Sequence, residues 1–194
     1  MTHSDIKEKF LIEYDKADIA SSYPSLTDYE IATILDKAYL ALIAQKLTGN
    51  NPRQVPFEGD TKAIEDIRPL IKSGLAEVNT SFPHEATNEY VFNIPEDFLY
   101  YLQSKIDLGY NAKGIDDKYH DINEVNLVTH EVASKFMATS HNLPWVNIPV
   151  CCLQSNIIRV FVDPVKQVND VALNLMYIKK PNKFVGDLQS TNEF

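Results

Sequence analysis

The sequence predicts an α+β protein with an N-terminal three-helix unit over residues 1–74 and a small antiparallel β-rich part over 75–194. In the first third, apolar residues recur at three- and four-residue steps, the period of a helix with one buried face. From Gly74 onward the texture changes to short runs rich in β-branched and aromatic residues, separated by turn residues. A length of 194 residues, 44% of them hydrophobic, suits one domain with a helical appendage.

Ser4 is placed to cap a helix over about 5–20, with Ile6, Phe10, Leu11, Tyr14 and Ala17 on one face. The most strongly patterned stretch is "YPSLTDYEIATILDKAYLALIAQKLTGNN", residues 23–51. Thr27 and Glu30 have the S/T-x-x-E spacing of a capping box, in which each side chain satisfies the other residue's free backbone N–H. Leu26 and Ile31 flank the box as a hydrophobic staple. Ile31, Ile34, Leu35, Ala38, Leu42, Ile43 and Leu47 then form the expected inward stripe, and Gly49 stands where a left-handed C-terminal residue belongs. A helix over about 28–48 would be roughly 30 Å long. After the loop "NNPRQVPFEGD", Asp60 can cap a third helix with Ala63, Ile64, Ile67 and Ile71 inward, which Pro69 should kink or end.

"LAEVNTSF" and "NEYVFNIP" read as two strands joined by a turn at Pro83–Thr87. "PEDF" suits one helical turn, and "LYYLQSKIDL" can either continue that helix or run extended, with the strand the favoured reading. "VNLVTHEVASKFMAT" reads as an extended approach to a short helix, about 130–139, capped by Thr129. The last third supplies "VCCL", "IIRVFV" and "VALNLMYI", expected as a three-strand antiparallel meander with turns at Ser155-Asn156 and around Asn169-Asp170.

The charge balance excludes one class of function. The chain carries 18 Lys and Arg against 27 Asp and Glu, a net charge of −9. Nine basic residues face twelve acidic ones up to Gly74, and nine face fifteen after it, so neither part is basic. Tight wrapping of nucleic acid needs the opposite sign. A wall past which DNA slides without sticking is compatible. Cys151 and Cys152 are adjacent, which gives no disulfide framework and points to a reducing compartment. The charged start "MTHSDIKEKFLIEYDKADIA" lacks the apolar core of a signal peptide. No apolar run approaches the length of a membrane span.

Chemistry-bearing patterns are sparse. "HEVAS" opens like a zinc-protease motif, but Ser134 stands where the second His would fall. His120, Asp121 and Glu124 form a ligand-like group in what reads as a solvated polar loop. Phosphate-cradling and nucleophile-elbow glycine motifs are absent from the sequence. Cys152 with His130 or His141 would make a thiol–base pair, although a thiol inside an apolar strand behaves as a small hydrophobe. The expectation is no catalytic residue, no cofactor and no metal.

Interaction residues are the remaining candidates. Tyr29, Ala32 and Tyr39 lie off the main stripe of the long helix, where a second copy can meet them. Trp145, in "NLPWVNIP", is either a core anchor or an interface anchor. Lys179, Lys180 and Lys183 form a solvated strand end or a contact for an acidic partner.

The ordered set "YPSLTDYEIATILDKAYLALIAQKLTG", "FEGDTKAIEDIRPLI", "FNIPEDFLYYL", "VTHEVASKF" and "LMYIKKP", from about Ile6 to Pro181, resembles the ring, or head-to-tail connector, proteins of crAss-like bacteriophages. Those proteins are similar to the adaptor or tail-tubular proteins of short-tailed phages. The resemblance implies a virion protein made in the host bacterial cytoplasm. It implies a closed ring of about twelve copies below the portal, touching the portal and other ring or tail proteins. Genomic DNA would pass through the lumen without specific binding, and no membrane is involved. The resemblance carries no catalytic residue, and it implies a further segment after "STNEF". The alternative from another class is a cytoplasmic binding or chaperone-like module that docks one partner through its long helix.

Overall fold

The computed structural model describes residues 3–17, 26–48, 61–81, 88–111, 118–138, 144, 148–164, 168 and 170–184. The protein is α+β: the described residues form four α-helices and seven strands, the first three helices preceding the strands. Its contacts define two units, Met1–Leu70 with Pro181–Phe194, and Ile71–Lys180.

The second unit is a seven-stranded sheet. Its strands are β1 (Ile71–Ala76), β2 (Glu89–Asn93), β3 (Phe98–Asn111), β4 (Lys118–Leu127), β5 (Val150–Gln154), β6 (Ile157–Phe161) and β7 (Asp170–Lys179). They are ordered β1-β7-β3-β4-β5-β6-β2. Alternation sets the buried face: Leu173, Leu175 and Tyr177 of β7 point with Ile106 and Leu108 of β3 and with Phe92 of β2 into a single core. In a flat sheet β7 and β2 would stand five strands apart, roughly 24 Å. Their shared core therefore requires the sheet to curl. It also closes on itself, because the chain just beyond β1 meets β2: Val78 bridges Phe92, the Asn79 N–H donates to the Val91 carbonyl (2.8 Å), and the Asn93 N–H donates to the Glu77 carbonyl (2.7 Å). The result is a small barrel with a packed interior.

Several sequence expectations are corrected here. The sheet is mixed, since β4 and β5 run parallel. A parallel neighbour cannot be reached by a hairpin, and the crossover contains α4 (His130–Ala138), whose Ala133 packs with Val150, Cys152 and Phe161. Ile71 begins β1 instead of extending the third helix, so the strands start before Gly74. Only Glu77–Asn79 of the expected first strand pairs with β2, and the Pro83–Thr87 turn lies outside the described residues. The C-terminal meander is not formed. The hairpin β5–β6 turns at Ser155-Asn156, but β7 pairs with β1 and β3 and not with β6. Alternation tells which face of a strand is buried and leaves its neighbours open. The expected polar loop around His120 is strand β4.

The first unit contains α1 (His3–Ala17), α2 (Asp28–Leu47) and α3 (Thr61–Ile67), the last ending in a 3-10 turn at Arg68–Leu70 that contains Pro69. Phe10 and Tyr14 stack one turn apart on α1, with ring centroids 6.2 Å apart. Lys7 of α1 pairs with Asp28 in the first turn of α2 at 2.6 Å, and Lys46 near its end pairs with Asp66 of α3 at 2.6 Å. The Lys46 ammonium holds the Asp66 carboxyl below its ordinary range. Among the described residues, no helix is long and apolar enough to cross a membrane.

Candidate functional site

The long helix forms as its start signals dictate. The Glu30 N–H donates to Thr27 Oγ1 (3.3 Å), and the Thr27 N–H donates to Glu30 Oε2 (2.8 Å). The Thr27 N–H, and after it the Thr27 hydroxyl that also donates to Glu30 Oε2 (2.8 Å), hold the Glu30 carboxyl below its ordinary range. A rigid 20-residue rod follows, and the question is which of its faces the chain itself covers.

Ile31, Ala32 and Ile43 are buried, with Leu35, Tyr39 and Leu47 half-buried beside them. The inward face is thus turned by about a quarter of the helix from the expected stripe. Ile34 and Leu42, expected inside, are 42% and 48% exposed, and Leu40 is 43% exposed. Ala38 and Ala41 are exposed as well. Ile34, Ala38, Ala41 and Leu42 recur at helical spacing and form one apolar strip along the outer side of α2. The sequence misses this strip because α2 carries apolar residues all round, and periodicity alone cannot select between two such faces.

The candidate interface residues are not brought together. Tyr29 is 74% exposed at the start of α2. Ala32 is 4% exposed and is already used within the chain, so it is withdrawn as a surface residue. Tyr39 is half-buried on that same inward side. Lys179 is half-buried at the end of β7. Lys180 is exposed but anchored: its N–H donates to the Asp97 carbonyl (2.6 Å) and its Nζ to the Glu96 carbonyl (3.1 Å). Trp145 and His141 lie outside the described residues.

The groups considered for chemistry have structural settings. Cys151 points into the barrel core and Cys152 to the α4 side; neither forms a disulfide, and both are buried. Burial pushes the Cys151 thiol up to about 11, the opposite of what a nucleophile requires. Beside it, the Tyr101 hydroxyl lies 2.9 Å from Ser104 Oγ and donates to the Val125 carbonyl (3.3 Å), and burial raises Tyr101 too. His120 Nδ1 sits 3.0 Å from Asp107 Oδ1 across the β3–β4 pair. His130 is exposed at the start of α4. Among the described residues no group of three or more His, Cys, Asp or Glu is arranged to hold a metal. On the outer face of β2 and β6, Glu89 and Arg159 make a buried ion pair, and Arg159 lies 5.9 Å from the Phe161 ring centroid.

No protein-family model matches the chain, and no curated protein matches it.

Proposed function

We propose that this chain is a structural virion protein, a ring subunit in the neck or tail of a crAss-like phage below the portal. The observation that carries the reading is the outer strip of α2. The apolar surface of α2 extends well beyond the face that the chain buries, and Ile34, Ala38, Ala41 and Leu42 stay exposed beside it. A strip of this kind on a capped, rigid rod suits repeated side-by-side contact in a closed heterologous ring. The net charge of −9 suits a lumen wall that repels DNA phosphates during packaging and ejection. The ordered resemblance of the sequence segments supplies the virion setting.

In this reading the work of the protein is mechanical: capped helices and a closed barrel give a stiff wall, and α2 joins each copy to the next or to the portal. A test is complementation of a phage lacking this gene with the wild-type chain or with Ile34→Lys/Leu42→Lys. The double variant is expected to accumulate as folded protein yet fail to enter particles. Normal incorporation of the variant would remove α2 from the assembly.

The same strip supports a second reading, a cytoplasmic module docking one partner. Stoichiometry separates the two: one partner per chain for the module, a closed multimer for the ring.

A further inference from the structure

The barrel offers a second surface, independent of the ring reading. β1 pairs with β7 and no other strand among the described residues, and its second edge carries main-chain groups available to a further strand. Lys72, Ser73, Gly74 and Leu75 are all exposed along it, Leu75 at 74%. A Cβ built on Gly74 would meet nothing within 4 Å, so the approach is open.

Among the described residues, the seam between β1 and β2 is bonded where Glu77–Asn79 meet Val91–Asn93. Towards Ile71 it parts, and a cleft of about 440 Å³ opens there, lined by Leu75, Glu77, Ile94, Pro95, Glu96 and Asn156 among others. A second hollow of about 370 Å³ shares Ile94, Pro95, Glu96 and Asn156 with it. The connector between β2 and β3 is held in place. The Ile94 N–H donates to the Asn156 carbonyl (2.8 Å), and the Asp97 carboxylate accepts from the Tyr177 hydroxyl (2.7 Å) and from Lys72 Nζ (2.9 Å). A site of this kind is preformed, so a partner loses little in ordering it.

We infer that the open β1 edge and its cleft dock an extended partner segment that alternates apolar residues with lysine or arginine. An added strand would gain its affinity from main-chain bonds to β1. Because side chains alternate across a strand, one set of its residues would face Leu75, Ile94 and Pro95. The charge selects the rest: Lys180, the basic residue lining the second hollow, is held on the Glu96 carbonyl, while Glu77 and Glu96 are exposed with carboxylates that make no ion pair or hydrogen bond among the described residues. In a chain of net charge −9 they disfavour acidic segments and nucleic acid alike.

The test is titration of the ¹⁵N-labelled full chain with an eight-residue peptide alternating lysine and valine, and with a control peptide alternating glutamate and valine. Saturable shifts in the amides of Ile71–Glu77 and Ile94–Glu96 are expected with the lysine peptide alone. Glu77→Gln/Glu96→Gln should weaken binding about tenfold, and Leu75→Lys should weaken it as well, with unfolding midpoints unchanged. Unsaturable shifts spread over acidic residues would overturn the inference, as would equal binding by the Gln variant or shifts confined to α2.

Discussion

Phe92, Ile106, Leu108, Ile158 and Leu175 have no exposed surface inside the closed barrel, whereas Ile34, Leu40 and Leu42 on α2 keep between 42% and 48% of theirs. The barrel has exposed apolar residues too, among them Tyr100, Ile122 and Met176. These are set among polar neighbours on the outer face, such as Lys105 and the hydrogen-bonded pair Gln103–Glu124 (2.7 Å). Single exposed apolar residues, Leu40 among them, are ordinary on any protein surface, but Ile34, Ala38, Ala41 and Leu42 adjoin one another over about two turns of one helix. The barrel interior is fully buried, whereas α2 leaves a strip of apolar side chains partly exposed.

The contrast can be broken most severely in the barrel. Phe92→Ala removes a fully buried ring at the seam and should cost about 3–5 kcal/mol in chemical denaturation. Glu89→Ala, which takes the buried Glu89 carboxylate away from Arg159, should cost about 3 kcal/mol, while Glu89→Leu/Arg159→Met should recover much of that loss. In the helical unit, Thr27→Ala removes the cap and should cost about 1 kcal/mol, read as reduced helicity and a lower unfolding midpoint.

A weaker effect comes from Asp97. Its hydrogen bond from Tyr177, and then that from Lys72, hold its carboxyl below the ordinary range. Its contribution is therefore present above the ordinary aspartate pKa and lost as pH falls through the depressed value. Acid titration of stability should show this loss in the wild type and a shallower slope below about pH 4 in Asp97→Asn. The smallest effect sharpens the contrast most: Ile34→Lys/Leu42→Lys should leave stability unchanged within about 0.5 kcal/mol, because the chain itself does not bury those positions deeply.

What the sequence revealed follows the range of the interactions involved. The start of α2 was readable because its capping box lies within four consecutive residues, Thr27 to Glu30. The helix capped by Thr129 was readable for the same reason, and the Val132 N–H does lie 3.4 Å from Thr129 Oγ1. Strand β4 was hidden by inverted patterning. Asp121 and Asn123 stand opposite the core residues Leu108 and Ile106, while Ile122 is 66% exposed. Barrel closure and the position of β7 between β1 and β3 depend on pairings far apart in the chain, which alternation does not encode. The outer strip of α2 was missed by the choice between two apolar faces, a choice made by tertiary packing.

The most direct measurement is quantitative mass spectrometry of purified virions from whichever phage or host encodes this chain, counting its copies against the major capsid protein. About a dozen copies per particle is the expected result for a closed neck or tail ring. Absence of the chain from the particle would contradict the ring and leave the outer face of α2 to a single cytoplasmic partner.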